Sequence, residues 1–183
     1  MKTFILNGSP RKNGNTSVLI NKMREFLIGE VLMFSAYYDN IKPCINCNRC
    51  IEDKTCNIND DMQKIYRCAY SFDNVVIASP VYFGLPTGQL LNILSRFQFC
   101  FMGQGSRKFP VYGKPKRGAV ILTAGGTSTT EEAERVVATM LRLMNASPVG
   151  KVISANTDIL PAANDTEALL QAEKIARKFS YKN

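Results

Sequence analysis

Val75-Val76-Ile77-Ala78 and Ala119-Val120-Ile121-Leu122 are apolar at every position. A strand with one face in water alternates polar and apolar residues. A strand without alternation is covered on both faces and belongs to a parallel sheet. Phe4-Ile5-Leu6, Val31-Leu32-Met33-Phe34 running on toward Tyr37, and Val149 to Ile153 supply further short apolar runs. Between these runs the apolar spacing turns helical. Leu19, Met23, Phe26 and Leu27 share a face over about Thr16 to Ile28, ended by Gly29. Met62, Ile65, Tyr66 and Ala69 follow a cap at Asp60 or Asp61, and Leu90, Leu94, Phe97 and Phe101 follow Thr87. Ala133, Val137, Met140 and Met144 sit behind a Thr129–Glu132 capping box, and Ala168, Ala172, Ile175 and Phe179 follow a cap at Asn164. Strands alternating with helices predict a doubly wound α/β fold with a five-stranded parallel sheet in the order 2-1-3-4-5. At 183 residues the chain reads as a single domain, 1–183, with a cysteine-rich insertion at about 39–59 after strand 2.

In such a sheet the switch point lies between strands 1 and 3, and ligands bind at the carboxyl ends of the strands there. The loops after strands 1, 3 and 4 therefore converge on one crevice. The first is Leu6-Asn7-Gly8-Ser9-Pro10-Arg11-Lys12-Asn13-Gly14-Asn15-Thr16-Ser17. A polar turn entering a helix exposes backbone N–H groups at the positive end of the helix dipole, which suits a phosphate. Ser9, Asn13, Asn15, Thr16 and Ser17 add side-chain donors, and Arg11 and Lys12 add charge. The loop lacks both the Gly-Lys-Ser/Thr ending of a Walker loop and the glycine spacing of a dinucleotide fingerprint. The second loop, Ser79 to Pro86, holds Pro80, Val81 and the aromatic pair Tyr82-Phe83. The third, Thr123 to Ser128, offers the backbone of Ala124, Gly125 and Gly126 with little side-chain bulk. One phosphate site beside aromatics and bare backbone predicts a flat ring on a single phosphate tail, which is FMN.

The net charge of +8 suits an anionic cofactor or an acidic electron-transfer partner. The basic residues are scattered, and no helix carries a basic stripe interleaved with aromatics, so no nucleic-acid partner is expected. No apolar run approaches the ~20 residues of a membrane span, and the N-terminus lacks a secretory pattern. A cytoplasmic protein without a membrane partner is expected. The chain has no histidine, which removes imidazole acid–base chemistry and imidazole metal ligands. Chemistry is therefore expected from a cofactor, with no catalytic side chain assigned.

Six cysteines in a reducing compartment point to metal or redox chemistry before disulfides. Cys44, Cys47 and Cys50 are spaced C-x2-C-x2-C, which wraps three corners of a [4Fe–4S] cube, and Cys56 can reach the fourth. A zinc staple and metal-free reduced thiols are the rival readings. Cys68 and Cys100 lie on apolar helical segments and read as buried thiols.

Gly8-Ser-Pro-Arg-Lys-Asn-Gly-Asn-Thr16, Ser79-Pro-Val-Tyr-Phe-Gly84 and Thr123-Ala-Gly-Gly126 together resemble the flavodoxin-like NADPH-dependent FMN reductase family. Cys44-Ile-Asn-Cys47-Asn-Arg-Cys50, Cys56 and Asp60-Asp61-Met62 resemble its iron–sulfur flavoprotein branch. The resemblance covers nearly the whole chain and implies a flavodoxin-like fold. It places the FMN phosphate at Ser9, Arg11, Asn13, Asn15, Thr16 and Ser17. It places the ring against Pro80, Val81, Tyr82 and Phe83, with Gly125 and Gly126 near its edge. It further implies NAD(P)H as electron donor, a small-molecule acceptor and a homodimer or tetramer. A ferredoxin-served electron carrier and a non-redox module with a zinc-stapled loop remain the alternatives.

Overall fold

The computed structural model describes residues 1–53, 56–99, 113–126 and 129–180. The parallel strands are β1 (Lys2–Asn7), β2 (Glu30–Ser35), β3 (Asn74–Tyr82), β5 (Lys116–Thr123) and β6 (Ala146–Ser154), and a two-residue β4 (Leu85–Pro86) folds back on β3. The helices are α1 (Asn15–Arg24), α2 (Arg49–Asp53), α3 (Met62–Ser71), α4 (Gly88–Arg96), α5 (Glu131–Leu143) and α6 (Thr166–Ser180). The sheet order is β2-β1-β3-β5-β6, which is 2-1-3-4-5 once the short β4 is set aside. The β1–β2, β1–β3, β3–β5 and β5–β6 pairings are all parallel.

The uninterrupted apolar runs are explained by cover on both faces. Phe4, Leu6, Val75, Ile77, Val120 and Leu122 pack under α3, α4 and α5, against Met62, Ile65, Leu90, Ile93, Val137 and Met140. Their neighbours Ile5, Val76, Ala78, Ala119, Ile121 and Val152 pack against Leu19, Ile20 and Met23 of α1 and Ala172, Ile175 and Phe179 of α6. Each large side chain so withdrawn from water contributes about 1.5–3 kcal/mol.

Several local expectations shift. The stretch Ser79–Pro86 is not a loop: β3 continues through Tyr82, and Val81 and Tyr82 pair with Pro86 and Leu85. Phe83 (φ 53) and Gly84 (φ 79) make the two-residue turn, both left-handed as a tight hairpin requires. α1 ends at Arg24 and not near Ile28, because Phe26 N–H and Leu27 N–H bond back three residues, to Met23 and Arg24, and tighten the last turn. Asp60 Oδ1 accepts from Met62 N at 3.1 Å, while Asp61 occupies the cap position with its carboxylate on Asn40 N–H.

The Thr129–Glu132 capping box does not form. Thr130 is the cap residue, and its hydroxyl donates to Glu134 Oε1 at 2.8 Å. Asp165, not Asn164, caps α6: its Oδ1 accepts from Ala168 N at 3.0 Å. β5 opens at Lys116, three residues ahead of the apolar run, and β6 is longer than Val149–Ile153 at both ends. Cys68 is buried as expected. Cys100, Phe101, residues 103–112, Thr127 and Ser128 lie outside the described residues.

Candidate functional site

α1 begins at Asn15, and the residue before it, Gly14, has no side chain to cap it. The first-turn N–H groups of a helix have no carbonyl within the helix to bond. Here they open into a cleft of about 390 Å³ lined by Ser9, Arg11, Gly14, Asn15, Thr16, Pro80, Val81, Tyr82, Phe83, Thr123, Gly125, Thr157 and Asp158. The cleft lies at the carboxyl ends of β1, β3, β5 and β6, at the switch point of the sheet. Its size falls in the usual range of small-molecule sites.

Most hydroxyls of the first loop hold the loop itself. Ser9 Oγ accepts from Arg11 N at 3.2 Å and donates to Arg11 O at 3.3 Å. Ser17 Oγ donates to the same carbonyl at 3.1 Å. Thr16 Oγ1 is 2.7 Å from Thr123 Oγ1. Asn15 Oδ1 accepts from Ala162 N at 3.0 Å, which holds the side chain in the cleft wall. The loop is thus a backbone cradle shaped by its side chains, with Arg11 exposed at the rim.

Of the residues singled out in the sequence, Ser9, Arg11, Asn15, Thr16, Pro80, Val81, Tyr82, Phe83 and Gly125 line this cleft together. Asn13 is exposed and outside it. Ser17 lines a neighbouring hollow of about 340 Å³ with Lys12, Met33 and Tyr38. Ala124 is buried, with its N–H on Ser154 O and its carbonyl on Thr157 N–H. Gly126 adopts φ +56 but does not reach the cleft lining.

Thr157 and Asp158, on the loop after β6, were not singled out. Their signal was topological only: in a parallel sheet every strand's carboxyl end lies on the same edge. A Cβ added at Gly125 would stand 2.6 Å from Asp158 Oδ2, so the Asp158 carboxylate occupies the space that glycine leaves free.

The thiol run forms a second candidate site. Asn46 (φ 52) and Asn48 (φ 58) adopt left-handed backbone between the cysteines, a conformation asparagine tolerates. These reversals curl the segment, so that Cys44, Cys47, Cys50 and Cys56 all line one cavity of about 20 Å³ with Arg96, Gln98 and Phe99. Asn46 N–H donates to Cys44 Sγ at 3.4 Å, and Cys44 N–H to Ser95 Oγ at 3.0 Å. Among the described residues no three acidic or thiol side chains converge tightly enough to hold a single metal ion. Burial, then the neighbouring Cys56, Cys44 and Cys47, pushes the Cys50 thiol up from its ordinary value.

Arg96 was not singled out either; a lone arginine in a helix carries no signal of burial. Its side chain and that of Asp60 are wholly withdrawn from solvent and paired at 2.6 Å. Burial works against the guanidinium's charge, and the hydrogen bond to Asp60 together with the nearby Tyr66, Cys56 and Asp60 charges outweighs it, so the group is held above its usual range.

Similarity to known proteins follows the same lines. An iron–sulfur flavoprotein of Archaeoglobus fulgidus is 28% identical over 183 residues, covering 98% of this chain and 79% of that one. An iron–sulfur flavoprotein of Methanocaldococcus jannaschii is 34% identical over 99 residues, covering 52% of this chain and 51% of the relative. A second from that organism is 38% identical over a stretch that spans 50% of its length. Among solved structures, the NAD(P)H:quinone oxidoreductase of Methanothermobacter marburgensis superposes with a TM-score of 0.71 at 12% identity, over 100% of this chain and 98% of that one. An FMN-dependent NADH-azoreductase of Bacillus anthracis, solved with FMN, gives 0.71 at 15% identity over 99% and 100% of the two chains. These neighbours establish a flavodoxin-like sheet. Among the described residues no helix is long and apolar enough to cross a membrane. The model of the NADPH-dependent FMN reductases matches residues 1–158, taking in the phosphate-type loop, the thiol run, the Tyr82–Phe83 hairpin and the last residue of the cleft, and this chain belongs to that family.

Proposed function

We propose that this chain binds FMN in the switch-point cleft and moves electrons between a reduced donor, NAD(P)H or ferredoxin, and a small acceptor. A [4Fe–4S] cluster on Cys44, Cys47, Cys50 and Cys56 serves as the one-electron port. The observation that carries the reading is the helix start without a side-chain cap at Gly14, opening into a cleft walled by an aromatic hairpin.

The residues present suit both groups. The first-turn N–H groups of α1, the Asn15 amide and Arg11 suit a phosphate. Tyr82 and Phe83 offer flat apolar surface, and Gly125 lines the same cleft without side-chain bulk. Each thiol of a cubic cluster binds its own iron, so four thiols around a cavity match its needs better than three meeting at a point. The cavity of about 20 Å³ is smaller than a cube and would have to widen to take one.

FMN bound here would supply both one- and two-electron transfer. The chain's own part is to hold the phosphate by fixed dipoles, seat the ring against the hairpin and leave one edge open to the donor. With no histidine in the chain, no cleft side chain is assigned a proton-transfer role. The reading extends to a homodimer or tetramer, in keeping with exposed Tyr82, Phe83 and Leu85 at the cleft lip.

The test is to make the protein without oxygen, release its flavin with acid, and assay flavin, iron, sulfide and zinc. FMN and near four irons per chain, with an EPR signal after dithionite, are expected. Stoichiometric FAD or no flavin after reconstitution overturns the first assignment. Zinc without sulfide overturns the second. NADH and NADPH oxidation set against ferredoxin-driven reduction decides the donor.

A further inference from the structure

Arg96 is the last residue of α4 and reaches into the neck of the thiol loop. Nη1 donates to Asp60 Oδ2 at 2.6 Å and to Lys42 O at 2.9 Å. Nη2 donates to Cys56 Sγ at 3.3 Å and to Ile58 O at 3.5 Å. Lys42 precedes Cys44, while Cys56, Ile58 and Asp60 follow the run, so one planar fork ties the entrance of the loop to its exit. Neighbouring Ser95 takes the Cys44 N–H, which adds a second tie from the same helix end.

The opposite end of α4 is fastened to the cleft. Thr87 Oγ1 accepts from Leu90 N and donates to Gly8 O at 2.8 Å, and Thr87 N–H donates to Ser79 Oγ at 3.1 Å. Nine helical residues span roughly 13 Å. The thiol loop and the cleft are therefore attached to the two ends of one short rigid rod.

A buried ion pair is seldom the most stable way to fill a neck; apolar residues of similar volume often do as well. This one is oriented. Asp60 sits on the Nη1 side of the guanidinium and the Cys56 sulfur on the Nη2 side, so the pair turns its positive end toward the thiols. Arg96 Nε is buried with no partner among the described residues, a further cost accepted to keep the cation in place.

We infer that Arg96 positions the thiol loop and raises the reduction potential of an iron–sulfur cluster held by Cys44, Cys47, Cys50 and Cys56. The potential half rests on the cluster reading above; the positioning half stands without it. Reduction adds negative charge to a cluster. A cation and an N–H donor on a ligand sulfur stabilise the reduced form and shift the potential upward.

The test compares the full-length wild type with Arg96→Lys and Arg96→Gln. Before reconstitution, amide hydrogen exchange is read by mass spectrometry. In Arg96→Gln, exchange over residues 40–62 should quicken several-fold while residues 2–7 and 74–82 stay unchanged. After anaerobic reconstitution, the cluster potential is read by EPR-monitored titration, with the flavin potential as internal control. Arg96→Gln should shift the cluster to more negative potential and Arg96→Lys should fall between, with the flavin unmoved.

Unchanged exchange over residues 40–62 overturns the positioning role. An unchanged cluster potential overturns the electrostatic one. A wild type that takes up FMN but no iron or sulfide removes the cluster reading and with it the electrostatic half, and the exchange result still decides the rest. FMN titration checks folding, and Arg96→Lys carries both readouts if Arg96→Gln does not fold.

Discussion

Thr16 and Thr123, 107 positions apart, share a 2.7 Å hydrogen bond between buried hydroxyls, which ties the first turn of α1 to the end of β5. A hydroxyl has one proton to give, so whichever of the pair donates to the other cannot also donate to a ligand. Replacing Thr16 with valine leaves the Thr123 hydroxyl buried without that partner, which costs about 1–3 kcal/mol. The double variant Thr16→Val with Thr123→Val should lose less than the sum of the two singles, because no orphan remains. Urea denaturation of the four proteins measures the coupling; strict additivity would mean the bond contributes nothing.

Asn15 and Lys12 separate geometry from charge in the phosphate loop. The Asn15 side chain is anchored by Ala162 N–H and lines the cleft. Lys12 instead places its Nζ 4.8 Å from the Tyr38 ring centroid and lines the neighbouring hollow. Asn15→Ala should weaken FMN by about tenfold or more, since a hydrogen bond to a charged group contributes about 1.5–3 kcal/mol. Lys12→Ala should change affinity by no more than about twofold, in line with an exposed flexible charge. Fluorescence titration with FMN reads both, and a larger loss at Lys12 would show that the phosphate is held by charge.

Phe83 is fully exposed and left-handed at φ 53, at the tip of the β3–β4 turn. A side chain in that region costs roughly 1–2 kcal/mol, and the extra unfolded-state freedom of glycine costs roughly 0.5–1 kcal/mol. Phe83→Gly should therefore raise stability by about 0.5 kcal/mol while weakening FMN, because strain at a cleft lip is retained for what the residue touches. Thermal unfolding and FMN titration on the same variant test the trade; a variant that loses stability and keeps affinity would mean the ring serves the fold.

Asp73 gives the fold an acid limit. Its carboxylate is held below the usual aspartate range, first by the Lys114 ammonium on Oδ1, with Lys2 N–H on Oδ2 at 2.7 Å. A carboxylate with a lowered folded-state pKa stabilises the fold above its unfolded pKa of about 4, and that contribution is lost as pH falls through the folded value. The ammonium is half exposed, so solvent screening limits the effect to about 0.5 kcal/mol. Asp73→Asn should flatten stability below about pH 4 and leave the pH dependence above about pH 6 unchanged. Urea midpoints measured across that range decide it.

Much of this architecture is written in local pattern. Unalternating apolar runs at Val75–Ala78 and Ala119–Leu122 demand cover on both faces, and the parallel pairing follows from strands separated by helices. The donor-rich turn before α1 and the spacing of Cys44, Cys47 and Cys50 are equally local, because backbone N–H groups at a helix start and thiols on one curled segment need only near neighbours. Thr87 is legible for the same reason: a cap bonds a backbone group three residues on.

The tertiary structure decides what depends on distant partners. The Phe83–Gly84 hairpin carries no Asn-Gly signal, and it forms because β3 overruns its apolar stretch and pairs back on itself. Asp158 reaches the cleft because β6 lies beside β5, and its carboxylate fills the space beside Gly125. Arg96 reads as one basic residue at a helix end. Its burial against Asp60, 36 positions away, and against Cys56, 40 away, follows from where α4 lands beneath the thiol loop. Periodicity tells which face of an element is apolar. Which charged side chains are drawn inside, and opposite what, is settled only by packing, where an unpaired buried charge is too costly to survive.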